Sequence, residues 1–143
     1  NKLTFYLKIK IWRCDGTFAL SDFKGEATFS VPAFTGSGGG SLMNLHPEEG
    51  SPTEFSVKVE KLDNLRKQID GADLFKIDVE GAELLVLKGA ANIINKMAPV
   101  ILVEIQNEEN YKDIKNFLHK FGYINVEPSN LKNIELKPPY MER

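Results

Sequence analysis

The chain has 143 residues, 42% hydrophobic and 27% charged, with a formal net charge of −2 at pH 7. These values predict one globular domain with one sizeable core and no basic field to attract nucleic acid or anionic lipid. No apolar run approaches the roughly 20 residues of a membrane-spanning helix, and no signal-peptide pattern is present. The single cysteine, Cys14, excludes an internal disulfide and fits a reducing compartment, so we expect a cytoplasmic location.

The first half of the chain contains short strand patterns separated by turn signals. Alternating or β-prone segments predict four strands, over residues 7–12, 17–20, 26–31 and 55–59. Residues 34–50 are rich in glycine and serine and predict a loop. The GSGGGS stretch within this loop is not followed by a helical pattern, which argues against a phosphate-binding loop. Apolar residues at helical spacing predict a short helix over residues 62–69.

The second half alternates strands with helices. The patterns predict strands over residues 74–79 and 100–105, helices over 82–97 and 111–121, and a hairpin over 123–137. Gly122 is placed to end the second of these helices as a C-cap. Strands and helices joined by short links predict right-handed crossovers between parallel strands. The expected fold class is therefore α/β, a doubly wound and mostly parallel sheet with a C-terminal antiparallel hairpin.

Acidic residues cluster where two of the predicted strands end. The stretch LFKIDVEGAELLVLKGA (residues 74–90) places Asp78, Glu80 and Glu83 directly after a buried strand. Glu83 falls in the first turn of the next helix, where the helix dipole favours an acid, and Glu80 either serves the same helix start or faces a site. Asp78 and Glu104 end neighbouring strands, at the edge where such sheets bind ligands. Because adjacent strands lie about 4.8 Å apart, these carboxylates are expected to share a crevice.

The histidines, the cysteine and the serines give little indication of a catalytic or zinc site. His46 lies in the predicted loop, and His119 falls between core positions of a predicted helix, facing solvent. Two histidines and one cysteine give no zinc spacing, and no serine lies in a nucleophile-elbow pattern. We therefore assign no metal ligand among these residues.

Four stretches of the sequence resemble one family in order and spacing. ALSDFKGEATFSVP, VEKLDNL, LFKIDVEGAELLVLKGA and PVILVEI are similar to the FkbM-type methyltransferases over residues 19–105. The resemblance implies a Rossmann-like sheet of the class I methyltransferase kind, S-adenosylmethionine as cofactor and methylation of a hydroxyl oxygen. It further implies that Asp78 lies beside the transferred methyl group and that Glu104 lies on the substrate side. The residues implied to contact the cofactor's adenine are Ala19, Leu20, Ser21 and Asp22.

The sequence departs from that family at its start. Such a domain opens with a strand, a glycine-rich turn such as DVGAN and a second strand ending in an acid for the ribose, and none of these is present. We therefore expect residues 1–143 to be a single, N-terminally truncated domain that is inactive alone. Its sheet would be exposed beside residues 74–79, so a homo-oligomer is one expected outcome.

Three functional interpretations remain open at this point. The first is part of an O-methyltransferase acting on a small molecule or sugar, in which a carboxylate is the general base or holds a divalent metal. The second is a non-catalytic remnant that serves as a binding or assembly module. The third, a phosphate-binding doubly wound domain, is weakened by the missing glycine loop.

Overall fold

The computed structural model describes residues 18–31, 40, 42, 52–67, 73–105, 107–126 and 133–137. Within these residues the strands are β1 (Phe18–Leu20), β2 (Gly25–Val31), β3 (Thr53–Glu60), β4 (Leu74–Ile77), β5 (Val100–Glu104), β6 (Ile124–Val126) and β7 (Asn133–Lys137). The helices are α1 (Glu83–Gly89), α2 (Ala91–Met97) and α3 (Glu108–His119), and a single 3-10 turn spans Leu62–Leu65. The strand predicted over residues 7–12, Cys14, His46 and most of the predicted loop at residues 34–50 lie outside the described residues.

The first sheet has the strand order β1-β3-β2. Strand β1 pairs with β3 in parallel, and β2 pairs with β3 antiparallel from Gly25↔Val59 to Val31↔Thr53. The three predicted strands are confirmed. Along β3 the apolar side chains become more exposed with distance from the core, from buried Val59 through Val57 to exposed Phe55. Among the described residues of β3, the end near Val59 is therefore the part that joins the core.

The second sheet has the order β4-β5-β7-β6. Strands β4 and β5 are parallel, in register from Leu74↔Val100 to Ile77↔Val103, whereas β7 runs antiparallel to both of its neighbours. The predicted C-terminal hairpin is confirmed. Among the described strands two pairings are parallel and three are antiparallel, so the expectation of a mostly parallel sheet is wrong for this part of the chain. Of the three antiparallel pairs, only β6 and β7 follow each other through a short reversal, whereas β2–β3 and β5–β7 join strands that lie farther apart in the chain.

The described helices pack against one face of the second sheet. Ile77, Ile101 and Val103 lie on that face and are buried with residues of all three helices in one hydrophobic cluster. Residues of the opposite face alternate with them, and there Leu74 is 41% exposed and the Lys76 side chain 64% exposed. The α/β class is therefore confirmed, whereas the doubly wound arrangement with helices on both faces is not seen in the described residues.

The single helix predicted over residues 82–97 is wrong, because the structure divides it into α1 and α2 at Ala90. Gly89, the last residue of α1, packs against the backbone that follows β1. A Cβ atom at this position would collide with the carbonyl oxygen of Ser21. Ala90 then leaves the helical conformation, with φ −108° and ψ 7°. Close packing between α1 and the first sheet accounts for glycine at the break.

Helix α2 begins with help from a distant residue. Its N-cap, Ala90, has no side-chain acceptor, and the Asp63 carboxylate takes that place. It accepts hydrogen bonds from the backbone N–H of Ile93 at 2.9 Å and of Asn92 at 3.1 Å. Of the helix predicted over residues 62–69, the described part, which reaches residue 67, contains only the 3-10 turn Leu62–Leu65. This turn closes when the N–H of Arg66 bonds the carbonyl oxygen of Asp63. This turn connects the first sheet to α2.

Helix α3 begins three residues before its predicted start. Asn107 is its N-cap, and the Asn107 side chain accepts a hydrogen bond from the N–H of Asn110 at 2.9 Å. The helix ends at His119, two residues before its predicted end, and Gly122 belongs to the turn that follows, with φ 78°. The next residue, Tyr123, is buried and donates its hydroxyl hydrogen to the carbonyl oxygen of Pro99 at 2.8 Å. Helix α3 is thus fixed to the segment that enters β5.

Candidate functional site

Asp78 and Glu104 lie at the carboxyl ends of two neighbouring parallel strands. Strand β4 ends at Ile77, two residues before its predicted end, so Asp78 is the first residue beyond it. The last pair of the register is Ile77↔Val103, and one further step in each strand gives Asp78 and Glu104. Asp78 is exposed and Glu104 is half-buried. The structure therefore brings these two predicted residues to one edge of the sheet, as the sequence pattern suggested.

A lysine of β4 is the ion-pair partner of Asp78. The Lys76 ammonium group lies 3.1 Å from Oδ2 of Asp78, and both side chains are partly exposed to solvent. Exposed pairs of this kind contribute little to stability, typically about 0–1 kcal/mol. The pair therefore leaves Asp78 accessible at the end of its strand.

Glu80 lies in a left-handed turn between β4 and α1. Its φ is 48°, and the next residue, Gly81, has φ 95°. Glycine adopts such angles freely, whereas a residue with a side chain loses about 1–2 kcal/mol there. Local backbone strain of this kind is concentrated at functional sites and persists only where surrounding contacts impose it. Glu80 therefore occupies a conformation that its neighbours must hold.

Glu83 supplies the contacts that hold this turn. It is the first residue of α1 and is 1% exposed. Its Oε1 atom accepts a hydrogen bond from the N–H of Gly81 at 2.9 Å and a longer one from the N–H of Val79 at 3.4 Å. Its Oε2 atom has no hydrogen-bond partner in the described part of the chain. Position in the first turn was predicted from the sequence, but burial and contact with the preceding turn were not.

The residues implied to contact adenine lie where β1 ends. Ala19 and Leu20 are half-buried, and Ser21 is fully buried, with its N–H bonded to the carbonyl oxygen of Glu60 at 3.1 Å. Because Ser21 packs against Gly89, it lies at the carboxyl end of α1. Asp78 and Glu80 instead precede the amino end of α1. The structure therefore places the implied cofactor residues and the candidate catalytic residues at different ends of this helix.

Two side chains beyond Ser21 remain accessible. Asp22 is half-buried and accepts a hydrogen bond from the Ser21 hydroxyl at 3.4 Å. The ring of Phe23 is 41% exposed and lies over Gly25, where an added Cβ would be 3.5 Å from it. A carboxylate can accept from an exocyclic amino group, and an aromatic ring can stack on a purine. The chemistry of these two residues fits the adenine portion of S-adenosylmethionine.

The hydrogen-bond network of Glu60 was not predicted from the sequence. This residue ends β3 and accepts from Asn64 Nδ2 at 2.6 Å and from the Lys61 N–H at 3.0 Å, while Lys24 Nζ lies 3.0 Å away. The hydrogen bond from Asn64, followed by that from Lys24, holds the pKa of the Glu60 carboxyl below its ordinary value of 4.5. The charged form of Glu60 therefore fixes the start of the 3-10 turn. The four-residue spacing to Asn64 was the only available sequence signal.

Comparison with protein-family models matches residues 6–124 to the methyltransferase FkbM domain. The chain belongs to the FkbM methyltransferase family. Membership confirms the resemblance seen in the sequence and indicates a methyltransferase-type function, and methyltransferases of this family generally use S-adenosylmethionine. Searches of curated proteins and of solved structures gave no match.

Two further properties of this FkbM-family chain concern metals and membranes. Across the residues that the structure describes, no three histidine, cysteine or carboxylate side chains are grouped closely enough to hold a metal ion. In the same residues, no helix has the length and apolar character needed to cross a bilayer.

Proposed function

We propose that this FkbM-family chain is part of an S-adenosylmethionine-dependent O-methyltransferase that acts on a hydroxyl group of a small molecule or sugar. The observation that carries the proposal, beside family membership, is the juxtaposition of Asp78 and Glu104 at the carboxyl ends of neighbouring parallel strands. Open α/β sheets bind ligands at this edge. Neither residue lies in a helix, and neither is the N-cap of one. Helix capping therefore does not explain why these two acids are at this edge.

The cofactor would supply an electrophilic methyl group, and the protein's main contribution would be to orient the acceptor. Asp22 and Phe23 are proposed to hold the adenine end, alongside Ala19, Leu20 and Ser21. Fixing two reactants in the productive geometry accounts for a large part of the rate of such a transfer. Because Ser21 packs closely against Gly89 of α1, this contact would hold the adenine end of the site in place.

The acceptor hydroxyl must lose its proton as its oxygen is methylated. A carboxylate within hydrogen-bonding reach can take that proton, a contribution of roughly 10²–10⁴-fold in rate. Asp78 is the first choice because it is exposed at the end of β4, where an acceptor can approach it. Glu104 is proposed to orient the acceptor from the neighbouring strand. Glu80, in its left-handed turn, is proposed to add a third carboxylate at this edge of the sheet.

The test is methyl transfer by the protein expressed from its complete reading frame. The protein is incubated with S-adenosylmethionine carrying a labelled methyl group and with a panel of glycosides, polyols and hydroxy acids. Release of S-adenosylhomocysteine and label in the acceptor are both measured. Asp78→Asn and Glu104→Gln are compared with Asp113→Asn, a matched change at an exposed position of α3.

We expect turnover in the wild type and in Asp113→Asn, and a loss of about 100-fold or more in Asp78→Asn, as for removal of a general base. The three variants should melt at similar temperatures. Full activity of Asp78→Asn and Glu104→Gln would contradict the site assignment. A folded protein that transfers no methyl group to any acceptor would favour the alternative of a non-catalytic binding or assembly module.

A further inference from the structure

The turn that carries the candidate acids is held by one buried carboxylate. The N–H of Val79 belongs to the peptide that follows Asp78, and the N–H of Gly81 belongs to the peptide that follows Glu80. Both N–H groups donate to the same atom, Oε1 of Glu83. One oxygen atom therefore fixes the backbone immediately after each of the two candidate acids.

This arrangement is demanding in two ways. Glu83 is 1% exposed and its Oε2 atom has no hydrogen-bond partner among the described residues, so burial of this side chain carries a desolvation cost. Glu80 is held at φ 48°, an angle that a side chain disfavours. A surface loop without a functional role could adopt another conformation that avoids both the desolvation cost and the backbone strain. The combination indicates that the turn is held in a geometry that the sheet edge requires.

We propose that Glu83 is a positioning residue of the methyl-transfer site, which fixes the directions of Asp78 and Glu80 by clamping the peptides that follow them. The inference rests on the proposed function. It assigns Glu83 no contact with acceptor or cofactor. Its effect on turnover passes through the turn, and a displacement of about 1 Å in such a group can reduce a rate about 100-fold.

Three variants of Glu83 separate the effects of side-chain length, charge and volume. Glu83→Gln keeps an oxygen that can accept from Gly81. Glu83→Asp keeps the charge but shortens the side chain by one methylene group and withdraws the acceptor. Glu83→Leu keeps the approximate volume and removes the acceptor. The matched control is Asp63→Ala, which also removes a carboxylate that accepts backbone N–H groups, but at the start of α2 rather than in this turn.

Two measurements are made on the protein from its complete reading frame. The first is amide hydrogen exchange at Val79, Gly81 and Ile93, which reports each clamp without requiring any enzymatic activity. The second is kcat and KM for S-adenosylmethionine, with the best acceptor from the panel of glycosides, polyols and hydroxy acids, at a temperature well below every melting transition.

We expect Glu83→Asp and Glu83→Leu to exchange faster at Gly81 and to lose about 100-fold in kcat with little change in KM. Glu83→Gln should recover most of both properties. Asp63→Ala should exchange faster at Ile93 and keep its kcat. Should Glu83→Leu fail to fold, the contrast between Glu83→Asp and Glu83→Gln decides the outcome by itself.

Three results would overturn the inference. If Gly81 exchanges faster in Glu83→Asp while kcat stays at the wild-type level, the clamp is structural only and the methyltransferase proposal stands. If Asp63→Ala loses as much kcat as Glu83→Asp, general stability explains both. If the wild type shows no turnover, the proposed function fails and this inference falls with it, although the exchange data still report the clamp.

Discussion

Helices α1 and α2 have the same length of seven residues and follow each other directly, yet they begin in different ways. The acid at the start of α1 is Glu83, its own first residue, which bonds the turn just before it. The acid at the start of α2 is Asp63, which lies 29 residues before Asn92, its nearest partner in the chain. One helix start is built locally and the other by tertiary contact.

The two helix starts therefore depend on different parts of the chain. The local start of α1 belongs to the edge where Asp78 and Glu80 lie, so the shape of that edge is encoded within a few residues. The remote start of α2 depends on the 3-10 turn that follows β3. Damage to the first sheet should therefore reach the start of α2 before it reaches the turn that carries Asp78 and Glu80.

The largest expected effect is at the junction between the two helices. Gly89→Ala would place a methyl group against the carbonyl oxygen of Ser21, a backbone atom that cannot rotate away. We expect a loss of about 3 kcal/mol in the free energy of unfolding, at the upper end of overpacking effects. Urea denaturation measures it. Gly25→Ala is the control, since among the described residues its added atom meets only the Phe23 side chain, at 3.5 Å. Equal losses in both variants would contradict the close-packing explanation.

A smaller effect is expected from the distant acid alone. Asp63→Ala removes the acceptor for the N–H groups of Asn92 and Ile93 and should cost about 1–2 kcal/mol, as for loss of an N-cap. Amide exchange should accelerate at Ile93 and remain slow at Gly81. Faster exchange at both amides would show that the two helix starts are coupled, which would end the distinction drawn between them.

The end of α2 offers a stabilising change. Ala98 follows this helix with φ 43° and ψ 55°, a left-handed conformation that glycine adopts without strain. Ala98→Gly should therefore raise the free energy of unfolding by about 0.5–1 kcal/mol. Thermal denaturation measures the change. Ala91→Gly, within α2, should have the opposite sign, so a loss of stability in both variants would mean that the conformation of Ala98 is not strained.

Acid should weaken the hydrogen bonds between Asp63 and the start of α2, because it protonates Glu60. Because its folded-state pKa lies below the ordinary value of 4.5, the stabilisation is present above that pH and is lost as the pH falls through the folded pKa. Protonation weakens the bonds to Asn64 and Lys61, next to Asp63. NMR shifts of the Ile93 amide should therefore respond to acid in the wild type and less in Glu60→Gln. Identical titration in both proteins would contradict this coupling.

The sequence allowed prediction of those features that neighbouring residues determine. Strand patterns located β2 and β3, Gly122 marked the turn that follows α3, and the order of strands placed Asp78 and Glu104 at one edge. The family resemblance, carried mainly by one ungapped block, was confirmed by the match over residues 6–124. Assignment of individual catalytic and cofactor residues stays a prediction.

Features that depend on distant contacts were not predictable. Helical periodicity continues through Gly89 and Ala90, and nothing in that stretch reveals that Ser21 forces a break or that Asp63 starts a new helix. The burial of Glu83 was missed for a similar reason. An acid in a first turn is usually solvated, and only the left-handed turn at Gly81 brings two N–H groups onto it.

The position of β7 in the second sheet has a consequence for biosynthesis. It follows β4, β5 and β6 in the chain, yet it lies between β5 and β6 and bonds both. On the ribosome, where chains grow at about 5–20 residues per second, β5 and β6 must wait for residues 133–137 before this sheet can close. Until then the facing edges of both strands are open to pairing with other chains. Slow translation over residues 133–137, or a nascent chain stalled before them, would expose the protein to aggregation when the core residues up to Tyr123 have already been made.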